Sequence, residues 1–371
     1  MENVFTKYQK RINPTQQNLE LWSLTIDQGL VAKTKRYDRS FLVRKNDIFN
    51  LVPKGYFVYN PMNITLGTID VNKYHSIAVS GYYIVLKSND QFNVAFLASL
   101  LHTSSMINKY KRFSTGSLLE KQRLQFPNFA KVKIISPRLS EQTKIGLLMN
   151  QVNNLIDLQQ RKLEQLKQLK KAMLQQLFVD KNNKQPNLRF KNFKGNWEQH
   201  RLEEVAQVTM GQSPSSKNYT DNLNDYVLVQ GNADLKSNKI SPRVWTKEVT
   251  KQVHKGEIIM TVRAPVGYLA MANMDAVIGR GVAAIDGNKY LYYLLQTKLM
   301  DRTWEKLSSG STFESISSND IKNLEIKVTE TEEEKLIAKL MDTVTYFVTL
   351  QKNKLTQLTT LKKYLLQNLF I

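Results

Sequence analysis

The chain has 371 residues, of which 53 are Lys or Arg and 32 are Asp or Glu, so its formal net charge is +21. A charge of this size favours a polyanionic partner, and nucleic acid is the leading candidate. The absence of cysteine excludes disulfides and thiolate metal sites, and no apolar run approaches the length of a membrane helix. We therefore expect a cytoplasmic protein with no membrane segment, no metal and no cofactor.

The positive charge is unevenly distributed along the chain. Counting Lys and Arg against Asp and Glu, residues 1–138 carry +12 and residues 139–179 carry +3. Residues 180–330 carry +4 and residues 331–371 carry +2. An inert basic surface is the alternative interpretation, but a concentration of charge in a globular segment favours a binding surface.

Residues 1–138 are predicted to form a mixed α and β domain. Residues 53–60 (PKGYFVYN) indicate a Lys-Gly turn that leads into a strand. Residues 77–86 (IAVSGYYIVL) are typical of a buried strand pair with a glycine break, and residues 131–135 (KVKII) of a short alternating strand.

Residues 139–179 are predicted to form one long helix. Ile145, Met149, Val152, Ile156 and Leu163 fall at spacings of three, four and seven, which places them on one apolar stripe. At 1.5 Å per residue such a helix is about 60 Å long. It cannot bury its stripe alone, so we expect it to pack on a second helix.

The polar segment 180–196, which contains Pro and Gly, is predicted to be a linker. A second mixed α and β domain should follow at residues 197–330, because it echoes the first. Its HKGEIIMT at residues 254–261 matches the Lys-Gly turn and strand of the first domain. KLSSGS at residues 306–311 likewise matches RFSTGS at residues 112–117.

Residues 331–371 repeat the first long helix. Sliding the sequence by 192 residues aligns them with residues 139–179 without a gap, and 18 of 41 positions are identical. Because the lengths and stripes match, we expect the two helices to pair antiparallel as a coiled-coil-like spacer. The predicted fold is therefore α+β, with two mixed α/β domains separated by two long helices in a pseudo-twofold internal repeat.

Several short motifs resemble the specificity subunit of type I restriction-modification systems. They are residues 186–190 (PNLRF), residues 193–197 (FKGNW), residues 202–205 (LEEV) and residues 211–214 (GQSP), together with the helix ends LQQLFV and LQNLFI. The resemblance covers nearly the whole chain, and its strength lies in the combination of motifs.

This resemblance implies two target recognition domains, each of which reads one half of a split double-stranded DNA site. It also implies two methyltransferase subunits docked on the helices and restriction subunits, which are ATP-dependent translocases and nucleases, that complete the complex. The second domain begins with Trp197 and the leucine-rich turn at Leu202, whereas the first begins at residue 5 with FTKYQKRINP. We therefore expect a shortened lead-in to the first domain.

The motifs of the chemistry in such a complex are absent from the sequence. Residues 60–63 (NPMN) lack the second proline and the aromatic residue of an adenine methyltransferase motif. Residues 211–217 (GQSPSSK) lack the glycine that precedes the lysine in a P-loop. We therefore expect no catalytic residue and a protein that is not itself an enzyme.

Candidate DNA contacts are polar and basic side chains on loops, since base edges are read by donors and acceptors. In the first domain they are Lys33, Lys35, Arg36, Asn60, Asn63, Ser114, Thr115 and Ser117; in the second, they are Gln212, Ser213, Ser216, Lys217, Arg263, Arg280, Ser309 and Ser311. A solvated surface charge is the alternative for each cation. For the two Ser-rich loops the alternative is a turn that needs glycine.

Two other functions are weighed against DNA recognition. A non-enzymatic nucleic-acid-binding coiled-coil adaptor would also be basic and helical, but two unlike domains on a matched spacer suit a bipartite duplex site better. A nuclease or methyltransferase with an unfamiliar motif is disfavoured by the missing motifs, and no RNA-binding aromatic pattern is evident.

Overall fold

The computed structural model describes residues 1–14, 17–33, 48–116, 122–180, 182–308 and 315–370. The chain forms two compact units, and each takes in part of both long helices. Unit 1 comprises Met1–Arg161 together with Lys352–Ile371, and unit 2 comprises Lys162–Gln351. The domain boundaries given above from the sequence stay a prediction.

Unit 1 contains two β-sheets and a layer of helices. The strands are β1 (Phe5–Tyr8), β2 (Arg11–Ile12), β3 (Leu21–Thr25), β4 (Gly29–Ala32), β5 (Phe49–Val52), β6 (Phe57–Tyr59), β7 (Ile69–Val71), β8 (Ile77–Ser80) and β9 (Ile84–Ser88). The helices are α1 (Val94–Leu100), α2 (Ser104–Phe113), α3 (Phe126–Ala130) and the long α4 (Leu139–Leu177), which continues into unit 2. The first sheet has the order β1-β9-β6-β7, and the second has the order β2-β5-β8-β3-β4.

Alternate residues of β6 and β9 line two different cores, because side chains on a strand point to opposite faces. Phe57 and Tyr59 pack with Phe96 of α1 and Phe129 of α3, whereas Val58 packs with residues of the second sheet. The first sheet is therefore buried on both faces, between the helices and the second sheet. This explains why β6 is apolar and buried at every position.

Unit 2 contains more strands but repeats this architecture. The strands are β10 (Glu198–Arg201), β11 (Gln207–Met210), β12 (Tyr219–Thr220), β13 (Tyr226–Val229), β14 (Leu235–Lys236), β15 (Lys239–Ile240), β16 (Trp245–Thr246), β17 (Gln252–Val253), β18 (Ile258–Thr261), β19 (Leu269–Met271), β20 (Ala276–Ile278), β21 (Val282–Asp286) and β22 (Glu325–Val328). The helices are α5 (Leu202–Val205), α6 (Lys289–Met300), α7 (Thr303–Leu307), α8 (Ser318–Lys322) and the long α9 (Thr331–Asn368), whose end belongs to unit 1.

The sheet orders show the internal repeat directly. The order β11-β21-β18-β19 in unit 2 matches β1-β9-β6-β7 in unit 1. In the second sheets, β17-β20-β13-β16 matches β5-β8-β3-β4. The pair β13 and β20 in unit 2 is parallel, as is the equivalent pair β3 and β8 in unit 1. The predicted α+β fold with an internal repeat is confirmed.

The two long helices have 39 and 38 residues, as the repeat predicted. In unit 1, the start of α4 and the end of α9 both meet α1. A Cβ at Gly146 of α4 would lie 2.9 Å from the Phe96 backbone nitrogen, and the Phe370 ring stacks on the Phe96 ring with centroids 5.4 Å apart. The two helix segments of unit 1 therefore run in opposite directions.

In unit 2, the end of α4 and the start of α9 share one core. Leu174 and Leu177 of α4 belong to the same buried cluster as Ile337 and Met341 of α9. Each helix therefore contributes one half of its apolar stripe to each unit.

The predicted linker, residues 180–196, is fastened to the rest of unit 2. Arg189 donates two hydrogen bonds of 2.8 Å to the buried carboxylate of Glu333 on α9, and a third to the Gly195 carbonyl oxygen at 2.6 Å. Glu333 is completely buried, and removing one partner of such a pair costs about 3–5 kcal/mol. This ion pair fixes how the segment leads into the second domain.

Two details of the sequence interpretation are corrected. Residues 77–86 do form two strands around Gly81, but β8 and β9 belong to different sheets and do not pair with each other. Residues 131–135 do not form a strand. Their counterpart β22 pairs with β10, and no described strand takes that place in unit 1, where the Met1 amino group donates to the Val132 carbonyl oxygen.

Candidate nucleic-acid interface

Four candidate residues of the second domain meet at one end of the sheet β11-β21-β18-β19. The Gly211 N–H donates to the Val282 carbonyl oxygen at 3.0 Å, and the Val262 N–H donates to the Gly281 carbonyl oxygen at 2.9 Å. Gln212 and Ser213 follow Gly211 in the chain, Arg263 follows Val262, and Arg280 precedes Gly281. Arg263 also forms an isolated bridge with Ser315. We call the surface formed by Gln212, Ser213, Arg263, Arg280 and Ser315 the basic edge of unit 2.

Glycines allow the chain segments at this edge to approach closely. A Cβ at Gly211 would lie 2.2 Å from the Gly279 carbonyl oxygen, and a Cβ at Gly281 would lie 2.1 Å from the Gln230 carbonyl oxygen. No side chain fits at such distances. The GQSP motif is therefore a strap that lies directly on residues 278–282.

Hydrogen bonds fix this strap. The Gln212 N–H donates to the Ile278 carbonyl oxygen at 2.9 Å, and the Ser213 hydroxyl oxygen accepts from the Arg280 N–H at 3.1 Å. The side chains of Gln212 and Arg280 are exposed, whereas Ser213 is half-buried. Ser213 is thus engaged with the backbone, while the side chains of Gln212 and Arg280 have no partner among the described residues and lie at the surface.

Ser216 and Lys217 lie farther along the same strap and are exposed. They form a short 3-10 turn over residues Ser216–Asn218, which Glu248 holds in place. The carboxylate of Glu248 accepts from the Asn218 side chain at 2.7 Å and from the Ser215 N–H at 2.8 Å. These two hydrogen bonds, with Asn218 the larger cause, lower the pKa of Glu248.

In the first domain, the turn after β6 places Asn60 and Asn63 differently. Asn60 is buried, and its side-chain oxygen accepts from the Met62 N–H at 3.0 Å, so it shapes the turn. Asn63 is exposed at the start of a short 3-10 helix, Ile64–Leu66. This placement favours Asn63 over Asn60 as a group that meets an external partner.

Ser114 and Thr115 follow helix α2 near this turn. The Ser114 hydroxyl donates to the Tyr110 carbonyl oxygen at 2.7 Å, and Thr115 pairs with Arg123 through two backbone hydrogen bonds of 2.9 Å. The next residue, Leu124, donates to the Pro61 carbonyl oxygen at 2.9 Å. Thr115 therefore lies beside the Asn63 turn, and Ser114 serves to end the helix.

Of the remaining candidates, only Lys33 lies in the part of the chain that the structure describes, and it does not join these groups. Lys33 follows β4 on the second sheet, and its ammonium lies 5.7 Å from the centre of the Phe49 ring. Lys35, Arg36, Ser117, Ser309 and Ser311 lie outside the described residues.

The repeat reveals residues that the sequence did not single out. The Leu124–Pro61 bond in unit 1 matches a 3.0 Å bond from the Ile316 N–H to the Val262 carbonyl oxygen in unit 2. Following this match along the paired strands, three residues flank the same end of the first sheet: Lys10, between β1 and β2, Arg11, which begins β2, and Tyr82 before β9. All three side chains are exposed.

We call the surface formed by Lys10, Arg11, Asn63, Tyr82 and Arg123 the basic edge of unit 1. Apart from Asn63, already a candidate, the sequence signal for it is the basic pair in KYQKRI, which no motif distinguishes from a solvated loop. Strand pairing supplies what the sequence lacked, because it identifies the two edges as equivalent.

The described residues contain neither a candidate metal-binding cluster nor a candidate membrane-spanning helix. No group of three or more His, Cys, Asp or Glu in these ranges could hold a metal ion. In the same part of the chain, no helix is long and apolar enough to cross a membrane.

Comparison with known families decides the classification. A family profile described as "Type I restriction modification DNA specificity domain" matches residues 17–168 and again residues 194–360. The chain belongs to this family. It carries two copies of the specificity domain, in agreement with the resemblance noted above.

Relatives in the family come from Methanocaldococcus jannaschii. The chain is 30% identical over 244 residues to the putative type I restriction enzyme MjaX specificity subunit. This alignment covers 62% of the chain and 57% of that protein. It is 31% identical over 185 residues to the MjaIX specificity subunit, which covers 46% of the chain and 42% of that protein. The chain thus spans little more than half the length of the first relative.

Solved structures share the fold. The S subunit of a type I restriction-modification system from M. genitalium superposes with a TM-score of 0.68 at 14% identity, covering 100% of this chain and 94% of that one. A second chain, from a structural study of the assembly and conformational transition of a type I restriction-modification system, gives a TM-score of 0.58 at 20% identity, with 99% and 97% covered.

Proposed function

We propose that the chain is the DNA-specificity subunit of a type I restriction-modification complex and works in the cytoplasm. It recognises a bipartite double-stranded site and directs methyltransferase and restriction subunits to it, without being an enzyme itself. The observation that carries this proposal is the pair of basic edges. Both lie at the same end of equivalent sheets, yet they present different side chains.

Unlike side chains on equivalent edges suit two different half-sites. The edge of unit 2 presents Gln212, Arg263 and Arg280, whereas that of unit 1 presents Lys10, Arg11 and Tyr82. Arg, Gln and Asn are the side chains that read base edges in the major groove, while Lys and Arg neutralise phosphates. A general adaptor for nucleic acid gives no reason for this difference between two copies of one scaffold.

The long helices offer two matching surfaces for partner subunits. Leu155 and Leu158 of α4 are 39% and 58% exposed, and their repeat counterparts Phe347 and Leu350 of α9 are 48% and 49% exposed. Contiguous exposed apolar patches mark interaction sites. Equivalent apolar pairs at repeat-related positions of the two helices fit two copies of one partner, which we infer to be the methyltransferase subunit.

The experiment that tests the function is to express the chain with a methyltransferase subunit of its system and to map methylated adenines across the host genome. We expect methylation at a motif of two short blocks separated by a nonspecific gap. The chain alone, supplied with methyl donor, ATP and DNA, should give no methyl transfer, ATP hydrolysis or cleavage. Methyl transfer by the chain alone would overturn the non-enzymatic assignment.

The number of partners can be tested separately by native mass spectrometry. The double variants Leu155→Ser with Leu158→Ser, and Phe347→Ser with Leu350→Ser, should each reduce the methyltransferase subunits per chain from two to one. As a matched control, Gln160→Ser with Lys352→Ser changes exposed polar positions of the same two helices. Unchanged stoichiometry in both double variants would disprove this docking surface.

A further inference from the structure

A three-residue tip, Gly279–Arg280–Gly281, connects β20 to β21 at the basic edge of unit 2. Its backbone is held from several sides. The Gly279 N–H donates to the Val229 carbonyl oxygen at 2.8 Å, and the Arg280 N–H donates to the Ser213 hydroxyl oxygen at 3.1 Å. The Gly281 carbonyl oxygen in turn accepts from the Val262 N–H at 2.9 Å.

The segment beneath the tip is itself fixed. Gln230, whose carbonyl oxygen lies 2.1 Å from where a Gly281 Cβ would be, donates through its side chain to the Tyr219 hydroxyl at 2.7 Å. Its N–H donates to the Asp234 carboxylate at 2.8 Å. The position of the Arg280 Cα is therefore set by the GQSP strap and by the segments around Val229 and Val262, and glycines stand on either side of it where no side chain fits.

The Arg280 side chain contrasts with this fixed backbone. It is exposed, and the described residues provide no hydrogen bond or ion pair to its guanidinium. Two other arginines of unit 2 are instead engaged by carboxylates: Arg189 by Glu333, and Arg243 by Asp234 at 3.8 Å. A cation on a fixed backbone, with its donors free among the described residues, is available to an external acceptor, and little backbone entropy is lost on binding.

We propose that Arg280 is a specificity-determining residue that reads a guanine in the half-site of the second domain. The guanidinium presents two parallel N–H donors, which match the O6 and N7 acceptors of guanine in the major groove. This inference rests on the proposed function, since it assumes that the basic edge of unit 2 faces duplex DNA.

The first domain has no equivalent arginine. Tyr59 of β6 pairs with Ile84 of β9, and Met260 of β18 pairs with Ala283 of β21. Counting back from Ile84 and Ala283, Gly81 stands where unit 2 has Arg280. The guanine contact therefore belongs to one block of the recognition sequence only.

Genome-wide methylation mapping of the chain in complex with its methyltransferase subunit tests this assignment. Arg280→Ala should relax one guanine position of one block, with discrimination there falling about 5-fold to 100-fold. Arg280→Lys, which keeps the charge but lacks the fork, should relax the same position while methylating the original site nearly as well. The matched control is Arg302→Ala, since Arg302 is exposed in the same domain and contacts Glu305 at 3.8 Å.

The outcomes separate this inference from the proposed function. If the unaltered complex methylates a two-block motif and Arg280→Ala leaves that motif unchanged, the guanine assignment is wrong and the function stands. Relaxation of a position that is not guanine, or of both blocks, would also overturn it. If the unaltered complex shows no two-block motif, the proposed function itself fails.

Discussion

Single glycines determine how closely the GQSP strap approaches the tip at the basic edge of unit 2. A Cβ at Gly211 would lie 2.2 Å from the Gly279 carbonyl oxygen and 2.8 Å from those of Ile278 and Val282. All three contacts are with backbone, which cannot rotate away as a side chain can. Gly231 differs, since a Cβ there meets nothing within 4 Å and its φ of 177° is extended.

Gly211→Ala should therefore lower the free energy of unfolding by about 1–3 kcal/mol, as overpacking does, and weaken DNA binding by displacing Arg280. Gly231→Ala is the control and should change neither quantity appreciably. Urea unfolding followed by circular dichroism, and DNA binding of the methyltransferase complex, measure the two effects. Equal stability of the two variants would show that the strap is not closely packed in solution.

At the same scale, the sequence identified Arg280, Gln212 and Arg263 because they are hydrogen-bonding side chains in predicted loops. It could not separate Asn63 from Asn60. The two asparagines stand in one turn, and only the fold shows that Asn60 is buried and bonded to the Met62 backbone. It also missed Arg11 and Tyr82, whose position at an edge depends on strand pairing between residues far apart in the chain.

At the scale of elements, the long helices were predicted well because an apolar stripe and a gapless repeat are local signals. The strands were predicted less well. Residues 131–135 have the alternation of β22, but no described strand takes the place that β10 has beside β22, so the same pattern does not become a strand. Sheet membership of β8 and β9 was likewise not predictable, because both are apolar on each face.

The length of the two long helices is expected to set the gap between the two half-sites. If they form the spacer between the two half-sites, adding four residues after Gln159 and four after its repeat counterpart Gln351 lengthens each by about 6 Å. The gap in the methylated motif should then grow by about two base pairs, at ~3.4 Å each, while both blocks stay the same. Both glutamines are buried, so correct folding should be verified by the melting temperature.

Methylation mapping of this double insertion gives the readout. A variant that folds and methylates but keeps the original gap would show that the helices do not set the spacing. Altered bases within a block would show that the helices take part in reading, contrary to the modular interpretation.

The net charge of +21 is a property of the whole molecule, and it favours phosphate contacts, whose number sets how DNA affinity depends on salt. Each phosphate that Lys or Arg neutralises releases counterions. With about four such contacts, affinity should fall by about 100-fold between roughly 50 mM and 200 mM salt. Fluorescence anisotropy of labelled duplex with the methyltransferase complex measures this slope.

Substitution of single cations refines the test of charge. Lys217→Ala should reduce the slope and weaken binding to all sequences alike, because phosphate contacts carry no sequence information. An affinity that hardly changes over this range of salt would contradict a phosphate-dominated interface.

The central claim is that two copies of one scaffold read two different blocks of one DNA site. The measurement that tests it most directly is methylation mapping after residues 186–330 are exchanged for the matching region of another member of the family. We predict that one block changes, while the other block and the length of the gap remain as they were. If the exchange changed both blocks or neither, with the hybrid complex folded and active, the account would be wrong.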